Sequence, residues 1–203
     1  MLLAPVRPSF AEGLDATLVD IENRWAEAAF EANGRHQVKE LRLLLGDVRE
    51  LHTRFPGKPE AAAWHGIVAR SYMDSKGNIG SLRLAKESRD ALLAAESMDP
   101  LVFGGLIYAN LGALYSTAPS GFGGFGNRTR GIGYLWKAIV VDPDGIDANL
   151  LYAEVLFDEK NYTAARDALM RANDAPSRNG HQIADQARRS EVAILLAAVE
   201  RKL

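Results

Sequence analysis

Tyr108-Ala-Asn-Leu111-Gly112-Ala-Leu-Tyr115, a break at Ala118-Pro-Ser-Gly-Phe-Gly-Gly-Phe-Gly-Asn127, then Leu135-Trp-Lys-Ala138 running to Asp142-Pro143: the reading of this stretch decides the fold. Tyr108, Leu111 and Tyr115 recur at three- and four-residue steps, which puts them on one stripe of a helix. Gly112 lies inside that stripe. Leu135 and Ala138 set a large and a small residue on one face of a following helix, and Pro143 ends it because proline cannot continue a helix. Small residues set among large ones on two successive helices predict a pair packed at about 8–10 Å.

The pattern extends in both directions. Downstream, Tyr152, Ala153 and Leu156 are followed by Tyr162, Ala165, Leu169 and Ala172. Upstream, Trp64 is followed by Leu92, Ala95 and Pro100, and a fainter unit runs from Trp25, Ala28 and Ala29 to Pro56. Periodicity predicts helices over 14–32, 38–55, 61–73, 82–98, 102–115, 132–141, 147–158, 163–172 and 183–202. Between them stand stop signals such as Asn33-Gly34, Pro56-Gly57, Lys76-Gly77-Asn78 and Asp142-Pro-Asp-Gly145. Asp144-Gly145 followed by Asp147 reads as a turn and helix N-cap, and Asp185 with Arg189 as an i, i+4 ion pair. No alternating run with hairpin turns is present, so the expected class is all-α, about nine helices with antiparallel neighbours. One helix pair cannot bury both its faces, so pairs must stack into an array. Ile183 to Lys202, with charges along it, suits a terminal capping helix. The expected organisation is a single domain over 14–203 with a Gly-rich insertion at 118–130.

The spacing of Tyr108, Leu111, Gly112, Tyr115, Leu135, Ala138 and Pro143 resembles the tetratricopeptide repeat, a helix pair of about 34 residues. The resemblance covers about residues 20 to 176. It implies a right-handed array whose first helices line a concave groove. Carried onto this sequence, the groove positions are His65, Ala69, Tyr72 and Met73, then Leu106, Ala109, Ala113, Ser116 and Thr117, then Asp147, Leu150, Glu154, Phe157 and Asp158. The basic clamp by which some members hold a carboxylate is missing, with Ala109, Ala113, Leu150 and Glu154 in its place. The implied groove is apolar with acidic rims, suited to a segment of another protein. The stretch from Leu114-Tyr115 to Asp147 is also similar to uncharacterised exported bacterial tetratricopeptide proteins, and to periplasmic components of substrate-capture transporters. That tips the expected compartment toward the periplasm over the cytoplasm. It also implies an alternative role, an accessory that holds or hands on a transporter's small-molecule substrate.

Composition limits the other classes. The 203 residues carry a net charge of −2, with 47% hydrophobic and 25% charged residues, so no general attraction to nucleic acid is expected. There are no cysteines, hence no disulfide, thiolate metal site or cysteine nucleophile. No apolar run reaches the roughly 18 residues of a membrane span. Residues 1–13 read as a frayed terminus or signal-peptide remnant, Ser9-x-Ala11 being small-x-small.

Candidate chemistry is sparse. Gly121-Phe-Gly-Gly-Phe-Gly126 brings a phosphate loop to mind, with Arg128 and Arg130 at the start of the next helix. No strand precedes it and no Lys-Ser/Thr follows, so the expectation is an insertion whose Phe122 and Phe125 tuck onto the array or touch a partner. The histidines, His36, His52, His65 and His181, include no metal-binding i, i+4 pair. No cofactor, metal or enzymatic activity is expected.

Overall fold

The computed structural model describes residues 10–77 and 81–203. Its helices are α1 (Phe10–Ala26), α2 (Gly34–Arg54), α3 (Pro59–Lys76), α4 (Ser81–Met98), α5 (Leu106–Thr117), α6 (Arg128–Val141), α7 (Ile146–Asp158), α8 (Tyr162–Asp174) and α9 (Gln182–Glu200). A π-helical turn, Glu27–Glu31, extends α1, closed by Ala32 N–H donating to the Glu27 carbonyl. No strand occurs among the described residues. The small-x-small pattern at Ser9 and part of the Lys76–Asn78 turn lie outside them.

Consecutive helices pair α3 with α4, α5 with α6 and α7 with α8. The seam of each pair is a small residue facing a leucine. A Cβ on Gly112 would stand 2.6 Å from Cγ of Leu135, and one on Gly66 2.5 Å from Cγ of Leu92. In the third pair Ala153, Ala165 and Leu169 are fully buried together. Removing the side chain lets the two backbones approach, and the leucine fills the space. Ser88 shares the α3 seam, donating its hydroxyl to the Gly66 carbonyl at 2.7 Å.

First and second helices differ in wrapping. Residues 107–115 of α5 are all buried, as are 61–69 of α3 except His65 and 146–156 of α7 except Tyr152 and Glu154. α2 and α8 bury one stripe each and turn charge outward. Something therefore covers the concave side of the first helices. That cover is α1 with its π-turn from the N-terminal end, and α9 from the other. α9 packs on α7 and α8 and also touches the π-turn.

The element borders hold two surprises. The expected helix over 102–115 starts only at Leu106, because Phe103 and Gly104 both take positive φ, 58° and 61°. Asp147 does not cap α7: Gly145 stands at that N-cap, and the Asp147 carboxylate accepts from Arg178 and Arg188 instead. Burial explains this, since a carboxylate that loses water must find cations.

Candidate functional site

The concave side is a roofed groove with two cavities. The first, about 290 Å³, lies between α3 and the π-turn and is polar, with Arg70, Ser71, Asp74, Asn110, Arg188 and Glu191 on its wall. The second, about 410 Å³, opens beside the α4–α5 linker. Its floor is apolar: Trp25, Trp64, Leu106, Ala109, Ile146 and Ala148. Its rim carries Glu22, Asp142, Asp144 and His181.

An aromatic row crosses this floor. Phe30 meets Trp25 edge-on at 5.2 Å, Trp25 meets Trp64 at 5.6 Å, and Trp64 meets Phe103 at 5.8 Å. Trp25 is fixed by donating its indole N–H to Ser71 at 2.9 Å. Phe103 stands at the mouth, 38% exposed. A bulky residue at positive φ is strained, and here the strained backbone holds a half-exposed ring over Trp64.

α9 is bound to this face by charge. Arg188 donates to Asp147 at 2.8 Å and to Glu191 at 2.7 Å, and its guanidinium lies 5.1 Å from the Phe30 ring. Arg178 reaches Asp147 at 2.9 Å and Asp185 at 2.6 Å. Burial alone would raise the Asp147 carboxyl, but the two guanidiniums hold it below its ordinary range. His181 pairs with Glu22, joining the start of α9 to α1. The expected Asp185–Arg189 pair is absent: Arg178 takes Asp185, and Arg189 donates to the carbonyls of Asn173 and Ala175.

The expected groove residues separate into groups. Leu106 lines both cavities, and Ala109 lines the second, fully buried. Ala113 is buried, and so is Leu150, under α8 and α9. Ser116 turns toward Gly131 of α6 with its hydroxyl buried. Phe157 packs edge-on to Tyr162 at 5.5 Å, and Asp158 is exposed. Glu154 keeps open surface yet has protein on most sides. That surrounding protein pushes its carboxyl above the usual range, against the pull of Arg70 and Arg188.

His65, Tyr72 and Met73 do not line the groove. Aligning Trp64 with Tyr108 puts the register of α3 two residues out, because Gly66 is the counterpart of Gly112. The concave positions are therefore Ile67, Arg70, Ser71 and Asp74. His65 instead bonds to His52 of α2 (3.0 Å) and Glu87 of α4 (2.8 Å). Glu87 is also clasped by Arg49 at 2.6 and 2.8 Å. Burial opposes its charge, but Arg49 and His65 hold it down to about 2. Tyr72 lies among Arg42, Leu45 and Leu84, and Met73 shares the Gly66 face of α3.

The insertion splits. Phe125 packs edge-on to Tyr115 at 5.5 Å under the Arg89 guanidinium at 4.5 Å, while Phe122 is fully exposed. The base is tied by Gly126 N–H to Pro119 and Asn127 N–H to Tyr115, both through carbonyls. Arg130 covers Tyr115 at 4.3 Å, and Arg128 donates to Glu159 and to the Val155 carbonyl. Both arginines are thus engaged within the array.

Trp25, Trp64 and Phe103 as cavity residues escaped the sequence reading, as did Arg178 and Arg188. The available signal for the register was Gly66 itself, the one small residue of α3 that seats Leu92 as Gly112 seats Leu135.

No protein-family model matches the chain, and no curated protein matches its sequence. Solved structures match its fold. TTC0263, a thermophilic TPR protein of Thermus thermophilus, aligns with a TM-score of 0.57 at 14% identity, over 91% of this chain and 93% of that one. The MamA protein aligns with a TM-score of 0.50 at 15% identity, over 92% of this chain and 90% of that one. The fold is a tetratricopeptide-type array of stacked helix pairs. No helix among the described residues is long and apolar enough to cross a membrane.

Proposed function

We propose that this chain is a protein-interaction module that seats a partner's apolar side chain in the cavity between α1, α5 and α9. Stacked helix pairs present concave surfaces suited to binding, and here most of that surface is roofed by the chain's own helices. Of the two cavities that remain, the aromatic-floored one offers apolar surface. The observation that carries the reading is Phe103, held by a strained backbone at the mouth with its ring on Trp64. Strain of this kind persists where the surroundings impose it, and a half-exposed ring in a concave mouth suits an anchoring contact.

The test exploits the same strain. Phe103→Gly suits positive φ and removes the ring, so the fold is expected to keep its melting temperature. Peptides selected from a randomised library on the wild-type chain should bind this variant roughly 30-fold more weakly, the loss of one anchor of about 2 kcal/mol. Trp25 and Trp64 report occupancy through their fluorescence. Peptides that bind the glycine variant as well as wild type would place binding elsewhere.

A further inference from the structure

We infer that the segment held in this cavity is basic, a large apolar side chain flanked closely by lysine or arginine. The inference rests on the cavity being the binding site and adds the chemistry of the occupant. The two cavities are lined by six carboxylates, Glu22, Asp74, Asp142, Asp144, Asp147 and Glu191, and by three guanidiniums, Arg70, Arg178 and Arg188. Six against three leaves −3 with His181 neutral, whereas the whole chain carries −2. The excess negative charge of the molecule is therefore gathered on its concave side, where low-dielectric walls strengthen its field.

The positive charges there are already matched. Arg188 holds Asp147 and Glu191, Arg178 holds Asp147 and Asp185, and Arg70 donates to Asn110 at 3.0 Å while lying 3.6 Å from Asp74. Asp142 and Asp144, in the turn between α6 and α7, make no ion pair among the described residues. They flank the apolar floor at Ile146. Asp74 on the wall of the polar cavity and Glu154 on α7 keep open surface but have protein on most sides, which pushes both carboxyls upward, so a further negative charge is unwelcome. An acidic segment would meet Asp142 and Asp144 with no spare cation to offset them. A neutral apolar segment would fill the floor and leave the rim unanswered. A basic one satisfies both surfaces.

The experiment is selection of a randomised peptide library on the full chain, followed by titration of the recovered peptides. Sequences with lysine or arginine beside an aromatic or aliphatic residue are expected. Their affinity should fall about ten-fold in the Asp142→Asn, Asp144→Asn double variant at about 0.05 M salt, and by less than about two-fold at about 0.5 M, where exposed charges are screened. Both positions are exposed, so the melting temperature serves as the folding control. Recovered peptides with no basic enrichment, or an unchanged affinity in the double variant, overturn this inference and leave the cavity reading standing. Peptides indifferent to Phe103→Gly overturn the cavity reading whatever their charge. A library that yields no binder overturns both.

Discussion

The seams of the helix pairs and the junction where α9 meets α1 perform the same task by opposite means. At the seams, Gly66 under Leu92 and Gly112 under Leu135 bring backbones together with side chains that have no polar atoms. At the junction, buried Asp147 and Asp185 meet Arg188, itself largely buried, and Arg178, which keeps some exposure, and cavities remain between the elements. Dense apolar packing tolerates neither added nor missing volume. A buried ion cluster depends on every member being present, because each charge left unpaired keeps its desolvation cost. The seams therefore set the array, and the junction sets how far the groove is closed.

The largest expected effect tests the junction. Asp147→Ala leaves two guanidiniums short of a carboxylate, one of them buried, and should cost about 3–5 kcal/mol in denaturant unfolding. A loss below about 1 kcal/mol would mean that water reaches Arg188 freely and that α9 is not held by charge. The seams come next. Gly66→Leu, Gly112→Leu and Ala165→Leu should each cost about 1–3 kcal/mol by overpacking. If the Gly66 variant alone melts like wild type, the revised register of α3 is wrong.

Acid sharpens the comparison, because one seam side also carries charge. The folded-state pKa of Glu87 is depressed from 4.5 to about 2. Its contribution is thus fully present above about pH 4.5 and disappears as pH falls toward 2. His52 is depressed too, by burial and by His65. A histidine kept neutral by folding favours the folded state above its unfolded pKa, so a shallower loss should begin below about pH 6.5. A melting-temperature profile against pH should show both steps. In Glu87→Gln the steeper acid loss should shrink. An identical profile in that variant would remove the clasp from the account.

The smallest effects concern the Gly/Phe insertion. Phe125→Ala should cost about 1 kcal/mol or more, since it loses an edge-on aromatic contact and the Arg89 cation. Phe122→Ala should stay within about 0.5 kcal/mol, as exposed side chains do. Equal effects would mean that both rings, or neither, belong to the array.

The seams were legible because their signals are local. Gly112, Leu135, Ala138 and Pro143 fall within one repeat, and their sizes and spacing state the contact directly. The register of α3 was misread because Trp64 resembles Tyr108 in bulk, while Gly66 marks the close approach. Sequence alone thus determined an all-helical array, its repeat, its proline and glycine stops, and which second-helix residues meet a seam. Tertiary structure alone decided the fate of the groove. Phe30 and Arg188, or Glu22 and His181, are separated by most of the chain, and no local pattern announces that they meet. Whether Asp147 caps a helix or anchors two arginines, and whether Ala109 lines an open groove or a roofed cavity, depends on where α9 comes to rest. Helical periodicity is set by neighbours three and four residues away, whereas burial of a charge is set by whatever the folded chain brings beside it.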